Sequence, residues 1–209
     1  MKQIKVYGER NTGTIYLEWL LKKNFDIQIP DTPKAGWKHR LAPSQEEINS
    51  LENEIYYVCL VKNPYSWLLS MHKRPYMHEE LKKLSFDEFL QYSYGDYRNP
   101  IVMWNKKNKS YIEMSNYARY HIMVKYEDLL QNISTPLNSI AKTFNMDVPD
   151  LYKNIQSLLT NSRRISSRKF HHDYYLKEKW RHSLSTKQIE LINDFLDKDL
   201  MDKLNYSYL

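Results

Sequence analysis

The chain has 209 residues, 42% of them hydrophobic and 27% charged, with four glycines and one cysteine; this composition excludes a disordered or disulfide-built protein, and the length suits one domain, residues 1–209, with a core of its own. A net charge of +6 and a sequence pI near 9.1 favour an anionic partner, without separating nucleic acid, membrane surface and phosphorylated small molecule. No apolar run approaches the ~18 residues of a membrane span and the N-terminus lacks the apolar stretch of a secretory signal, so no membrane span and a cytoplasmic location are expected.

Along the chain, residues 4–7 read as a short strand, residues 8–13 as a glycine-bounded turn, and Thr14 to Lys23 as a helix with Leu17, Leu20 and Leu21 on one stripe. Residues 55–61, Ile-Tyr-Tyr-Val-Cys-Leu-Val, are rich in β-formers without a helical period; they predict a buried strand ending at Lys62-Asn63-Pro64, with a helix from Tyr65 through Met71. Cys59 falls inside that run as a small buried hydrophobe. Residues 121–126 predict a third strand, followed by a helix over Ser134 to Phe144 with Pro136 in its first turn. Ser44 with Glu47, Ser85 with Glu88 and Ser185 with Gln188 have the spacing of capping boxes and mark three further helix starts. Strands alternating with helices imply an α/β fold, a central, mostly parallel sheet flanked by helices, with its ligand beyond the carboxyl ends of the strands.

Gly8 and Gly13 stand at the spacing of a phosphate-holding loop and Thr14 follows them, but the lysine of a Walker A motif is absent. Backbone amides at the start of the following helix can hold a phosphate without it. The second strand ends in Lys62, where a Walker B strand carries a magnesium-binding aspartate, which argues against a P-loop kinase and for a donor handled without metal. A sulfuryl group suits such a site. It carries one negative charge where a terminal phosphoryl carries up to two, so lysines and amides suffice to stabilise its transfer.

Residues 8–17, Gly36-Trp37-Lys38-His39, Lys62-Asn63-Pro64 through Ser70, and Tyr126-Glu127-Asp128-Leu129 together resemble the sulfotransferases that use 3′-phosphoadenosine 5′-phosphosulfate (PAPS). The resemblance covers about the first 130 residues as ordered motifs and implies a P-loop NTPase-like architecture, PAPS as co-substrate, its product adenosine 3′,5′-bisphosphate (PAP) as a second ligand, and no metal. It assigns Asn11, Thr12, Gly13 and Thr14 to the 5′-phosphosulfate and Tyr16 to the adenine. Asn11 stands where the family has a basic residue, leaving that charge to Arg10, Lys38 or a distant group. Lys62 and Ser70 match the 3′-phosphate pair, with lysine in place of arginine. Tyr126 matches a position contacting adenine, and Arg168-Lys169 an element closing over the 3′-phosphate, although Phe170 replaces its glycine. His39 matches the catalytic base and Lys38 the lysine stabilising the departing oxygen; Glu9, in the same turn, is the rival base.

The expected reaction is sulfuryl transfer to a hydroxyl, on a carbohydrate. Two other readings remain at this point: a nucleotide-dependent P-loop kinase, and a non-catalytic module binding nucleic acid or an anionic glycan through its basic surface. A nucleic-acid partner is not expected, and the oligomeric state is not legible. His171, His172 and Asp173 are expected to form a surface cluster with no metal. Arg98, Trp104 and Asn105 lie in a segment that could face an acceptor.

Overall fold

The structure, a computed structural model, describes residues 1–30, 36–51, 54–76, 79–155, 157–159, 167–169 and 172–209, with the backbone alone at 79, 157–159 and 167–169. Strand β1 (Lys2–Tyr7) leads through the glycine turn into α1 (Thr14–Asn24), and a two-residue strand β2 (Ile27–Gln28) follows. After a short α2 (Gln45–Asn49) come β3 (Ile55–Val61), α3 (Pro64–Lys73), α4 (Phe86–Gln91) and α5 (Pro100–Glu113). Strand β4 (His121–Lys125) runs directly into α6 (Tyr126–Gln131) and then α7 (Ser134–Thr143). A β5 (Ser157–Leu159) and β6 (Ser167–Lys169) hairpin, α8 (His172–Leu176), α9 (Thr186–Phe195) and α10 (Lys198–Lys203) complete the chain.

The four strands β2-β1-β3-β4 pair in that order and every pairing among them is parallel; β5 and β6 form a separate antiparallel pair. All seven residues of β3 are buried, because helices cover both faces of the central strand. Tyr56, Val58 and Leu60 pack with α1, α6 and α7 on one face, while Tyr57, Cys59 and Val61 point to the other, as the two-residue period of a strand requires. In β1 burial deepens toward the carboxyl end, where the strand runs beneath the turn.

Each anticipated strand and helix is present within a residue or two of its expected bounds, and all three capping boxes form with both reciprocal hydrogen bonds. Burial of Cys59 is complete. Several elements escaped the sequence reading: β2, α5, α6, α8, α10 and the β5–β6 pair. Strand β2 is too short to give a pattern, and α5 is a 14-residue helix whose buried stripe includes Lys107 and Asn108, residue types that conceal an apolar period. Its start is nonetheless conventional: the Asn99 side chain accepts from Val102 N at 2.9 Å and Pro100 opens the first turn. No described helix is long and apolar enough to cross a membrane.

Candidate active site

The site lies where β1, β3 and β4 end side by side. At the end of β1 the chain must fold back on itself before α1, and two residues take left-handed backbone to do so, Asn11 at φ 67° and Gly13 at φ 99°. A Cβ on Gly13 would stand 2.6 Å from the Tyr126 ring, so glycine is required by contact as well as by torsion. Both the amide and the hydroxyl of Thr12 donate to Glu9 O, at 3.2 and 2.6 Å, closing the turn. No side chain caps α1, whose first backbone bond is Leu17 N to Gly13 O at 3.1 Å, so the amide end of the helix faces the turn.

Lys62, at the end of β3, is 1% exposed. Its ammonium donates to Ser70 Oγ at 2.9 Å and reaches Asn11 O at 3.5 Å, and it lies 4.0 Å from the ring centre of Tyr175 and 5.1 Å from that of Tyr126. Among the described residues no carboxylate stands within ion-pair distance of it; Glu127, which acts on it at longer range, is occupied by Asn63 N at 3.0 Å and Tyr206 OH at 2.9 Å. Burial therefore lowers the lysine's pKa from its ordinary 10.5, with Tyr175 and Glu127 opposing the shift. For Tyr175 the balance runs the other way. Burial opposes its ionisation, but Lys62, Ser70 and Arg74 outweigh that and hold the phenol below its usual range. Its hydroxyl lies 3.3 Å from Ser70 Oγ.

The segment 36–40 passes over the turn and is bonded to it twice: Gly8 N donates to Lys38 O at 3.0 Å, and His39 Nδ1 approaches Gly8 O at 2.5 Å. A carbonyl only accepts, so Nδ1 carries the proton and the neutral imidazole presents the lone pair of Nε2. Burial is the largest influence on this ring and lowers its pKa below 6.5; Gly8 O and Glu9 oppose that, and Lys38 and Lys107 reinforce it. Half-exposed Trp37 meets the His39 ring edge-on at 5.2 Å, and Tyr76 and Tyr94 extend the aromatic wall at 5.7 and 5.4 Å steps.

Thus Asn11, Thr12, Gly13, Lys62, Ser70 and Tyr126 converge, and His39 sits across the same turn. The remaining anticipated residues are placed differently. Lys38 is paired with Glu18 of α1 at 2.9 Å. Tyr16 is 1% exposed in the core, its hydroxyl on Asn154 Oδ1 at 2.9 Å. Asn11 spends its amide on Arg74 O at 2.9 Å, while Arg10 places its guanidinium 5.5 Å from the Tyr76 ring with no carboxylate partner among the described residues. Arg168 and Lys169 lie in β6, opposite Leu158 and Ser157, and their side chains are outside the described residues, as are Arg163, Arg164, Phe170 and His171. His172 donates to Leu130 O at 3.2 Å and Asp173 pairs with Lys177 at 2.8 Å. Arg98, Trp104 and Asn105 do not line the turn: Trp104 donates to Lys62 O at 3.1 Å from within the core, Asn105 donates to Phe195 O at 2.6 Å, and Arg98 stacks on the Phe195 ring, because α5 presents this face to the C-terminal helices. Glu9 is wholly enclosed, bonded by Lys107 Nζ, Tyr76 OH and, at 2.6 Å, Arg10 N. The motifs read from the sequence did not include Tyr76, Lys107 or Tyr175.

No protein-family model matches the sequence, and neither does any curated protein sequence. Similarity appears in three dimensions. Mouse sulfotransferase SULT7A1, solved in complex with PAP, superposes at a TM-score of 0.61 and 16% identity over 98% of this chain and 87% of its own. A sulfotransferase from Alicyclobacillus acidocaldarius superposes at 0.56 and 13% identity over 99% of this chain and 97% of its own. The chain has the sulfotransferase fold. In that fold the parallel sheet and its flanking helices are those expected from the sequence, and the turn, the β3 end and the β4 end meet at one edge of the sheet.

Proposed function

We propose that the protein is a PAPS-dependent sulfotransferase acting on a hydroxyl acceptor, with His39 as general base. The observation that carries this reading is Lys62: a buried ammonium held by Ser70, with no carboxylate in reach among the described residues, is a costly arrangement that an incoming anion would relieve, and it lies beside a glycine turn and an uncapped helix start. One ligand meets both requirements if it carries a phosphate on each side of a ribose. Lys62 and Ser70 bind the 3′-phosphate; Thr12, Gly13 and Thr14, with Asn11, hold the 5′-phosphosulfate at the start of α1; Tyr126 serves the adenine side, and Arg168 and Lys169 close over the 3′-phosphate. Arg10, which has no carboxylate partner among the described residues, supplies the positive charge that Asn11 does not, and Lys38 supplies more by exchanging Glu18 for the donor.

In the reaction the acceptor oxygen attacks sulfur, the bond from sulfur to the 5′-phosphate oxygen breaks, and the acceptor's proton passes to His39 Nε2, leaving PAP and a sulfate ester. Lowered basicity keeps His39 neutral and ready at physiological pH. Glu9 is unsuited to the role because three donors already occupy its carboxylate. The wall of Trp37, Tyr76 and Tyr94 beside His39 offers stacking faces for the apolar side of a pyranose, which supports a carbohydrate acceptor. The test is to incubate the protein with PAPS and a panel of oligosaccharides and follow PAP and sulfate ester by mass spectrometry. Ester formation that persists in EDTA is expected; transfer from ATP in place of PAPS, dependent on magnesium, would overturn the reading.

A further inference from the structure

Resting on the reading of His39 as base, we propose that the buried Lys107–Glu9 pair is the positioning device for that histidine, tying the loop that carries it to the phosphate turn and so fixing the place and tautomer of the imidazole.

The connections form a closed circuit. Glu9 follows Gly8 in the turn; its carboxylate takes Lys107 Nζ; the same ammonium donates to His39 O at 2.6 Å; and His39 Nδ1 donates back to Gly8 O at 2.5 Å. Lys107 comes from α5, which lies outside both loops and is anchored independently by Asn99 and Pro100 and by packing of Trp104. One side chain on a rigid helix thereby sets the separation of two irregular segments. Tyr76 completes the enclosure from beyond α3, donating to the second oxygen of Glu9. Two apolar side chains of similar size would fill this volume without the desolvation cost of an ion pair, but they would make no directional bond to either loop. The directional bonds are what the pair supplies.

The charges around His39 make the role separable from a merely structural one. Facing the ring are Glu9 from the turn, Lys38 from its own loop and Lys107 from α5, with the Tyr76 phenol acting through Glu9. Glu9 favours the imidazolium and the two lysines disfavour it. Loss of Lys107 and loss of Glu9 must therefore move His39 in opposite directions.

The experiment is ¹⁵N NMR of the His39 imidazole in the full chain, in wild type, Lys107→Met, Glu9→Gln and Lys107→Arg. Wild type should give the Nδ1–H tautomer. Lys107→Met should give mixed tautomers and a raised titration midpoint, Glu9→Gln a lowered midpoint, and Lys107→Arg should restore most of the wild-type signature. In the transfer assay Lys107→Met should lower kcat on the order of 10²-fold, the scale of an ångström-sized misplacement, with PAP affinity unchanged. A folded Lys107→Met protein whose His39 tautomer and midpoint equal those of wild type overturns the proposal. Should that variant not fold, the double variant Lys107→Met with Glu9→Leu, which leaves no unpaired charge, is read by the tautomer alone, since its two charge losses shift the midpoint in opposite directions; a wild-type Nδ1–H tautomer there overturns the proposal. The NMR outcome needs no turnover, so the expected shifts in a protein that transfers no sulfuryl group would uphold the positioning and sink the functional reading instead.

Discussion

Lys107 and Lys62 are both buried near the carboxyl end of the sheet, at 5% and 1% exposure, and their partners divide them. Lys107 has a buried carboxylate and a carbonyl, so its charge is neutralised before any ligand arrives. Lys62 has a hydroxyl, a distant carbonyl, the Tyr126 ring face and Tyr175, whose phenol it holds below the usual range, but no carboxylate partner among the described residues. The first arrangement holds two loops together; the second leaves a buried positive charge, the place proposed for an anion. Exposure alone would have classed the two lysines together. What separates them is the counter-charge.

The largest effect concerns His39, the proposed base on the Lys107 side. His39→Ala should lower kcat by roughly 10²- to 10⁴-fold with donor affinity nearly intact, measured by steady-state kinetics and PAP titration. Full turnover in that variant would leave the Lys107 side without a catalytic purpose. In wild type the acid limb of the kcat/KM profile should fall below pH 6.5, because a base with a lowered pKa stays unprotonated to lower pH.

The lysine contrast itself is tested by stability. Lys107→Met should cost about 3–5 kcal/mol, because it strands the Glu9 charge, whereas Lys62→Met should leave the ligand-free protein unchanged or more stable, because it removes a buried charge that lacks a counter-ion. Equal losses in chemical denaturation would erase the distinction. A smaller change is expected for Gly13→Ala, about 1–3 kcal/mol from the left-handed backbone, together with loss of PAP binding as Tyr126 is pushed from the turn. The smallest effect is a pH trend: PAP affinity should weaken on the alkaline side before pH 10.5, since Lys62 loses its proton earlier than a solvated lysine does. Affinity flat to that pH would mean that Lys62 does not hold the ligand.

Much of the fold was legible because its signals are local. The β-forming run 55–61, the capping boxes and the glycine turn each declare themselves within a few residues, and Ser70, two turns into the helix that follows Lys62, was paired with it through the resemblance; the two stand 2.9 Å apart. What the sequence hid is non-local. Lys107 meets Glu9 across 98 residues and Tyr175 meets Ser70 across 105, and nothing in Asn-Lys-Lys-Asn-Lys marks one lysine as buried. Asn99-Pro100 was a readable start for α5, and with it the helical period would have placed Lys107 on the stripe of Trp104 and Tyr111. Glu9 resembled a candidate base from spacing alone, and only its three donors assign it elsewhere.

Lys62 and Ser70 are proposed to hold a 3′-phosphate, and the thermal shift of wild type and of Lys62→Ala/Ser70→Ala with PAP and with AMP tests that pair without a turnover assay. These ligands differ only in the 3′-phosphate, and a ligand stabilises the folded protein according to its affinity for it. PAP should raise the wild-type Tm well above AMP, and the double variant should abolish the difference, losing about 2–4 kcal/mol of PAP binding while AMP binding barely changes. Equal shifts with PAP and AMP in wild type would mean that no 3′-phosphate site exists, and the proposed donor would fall with it.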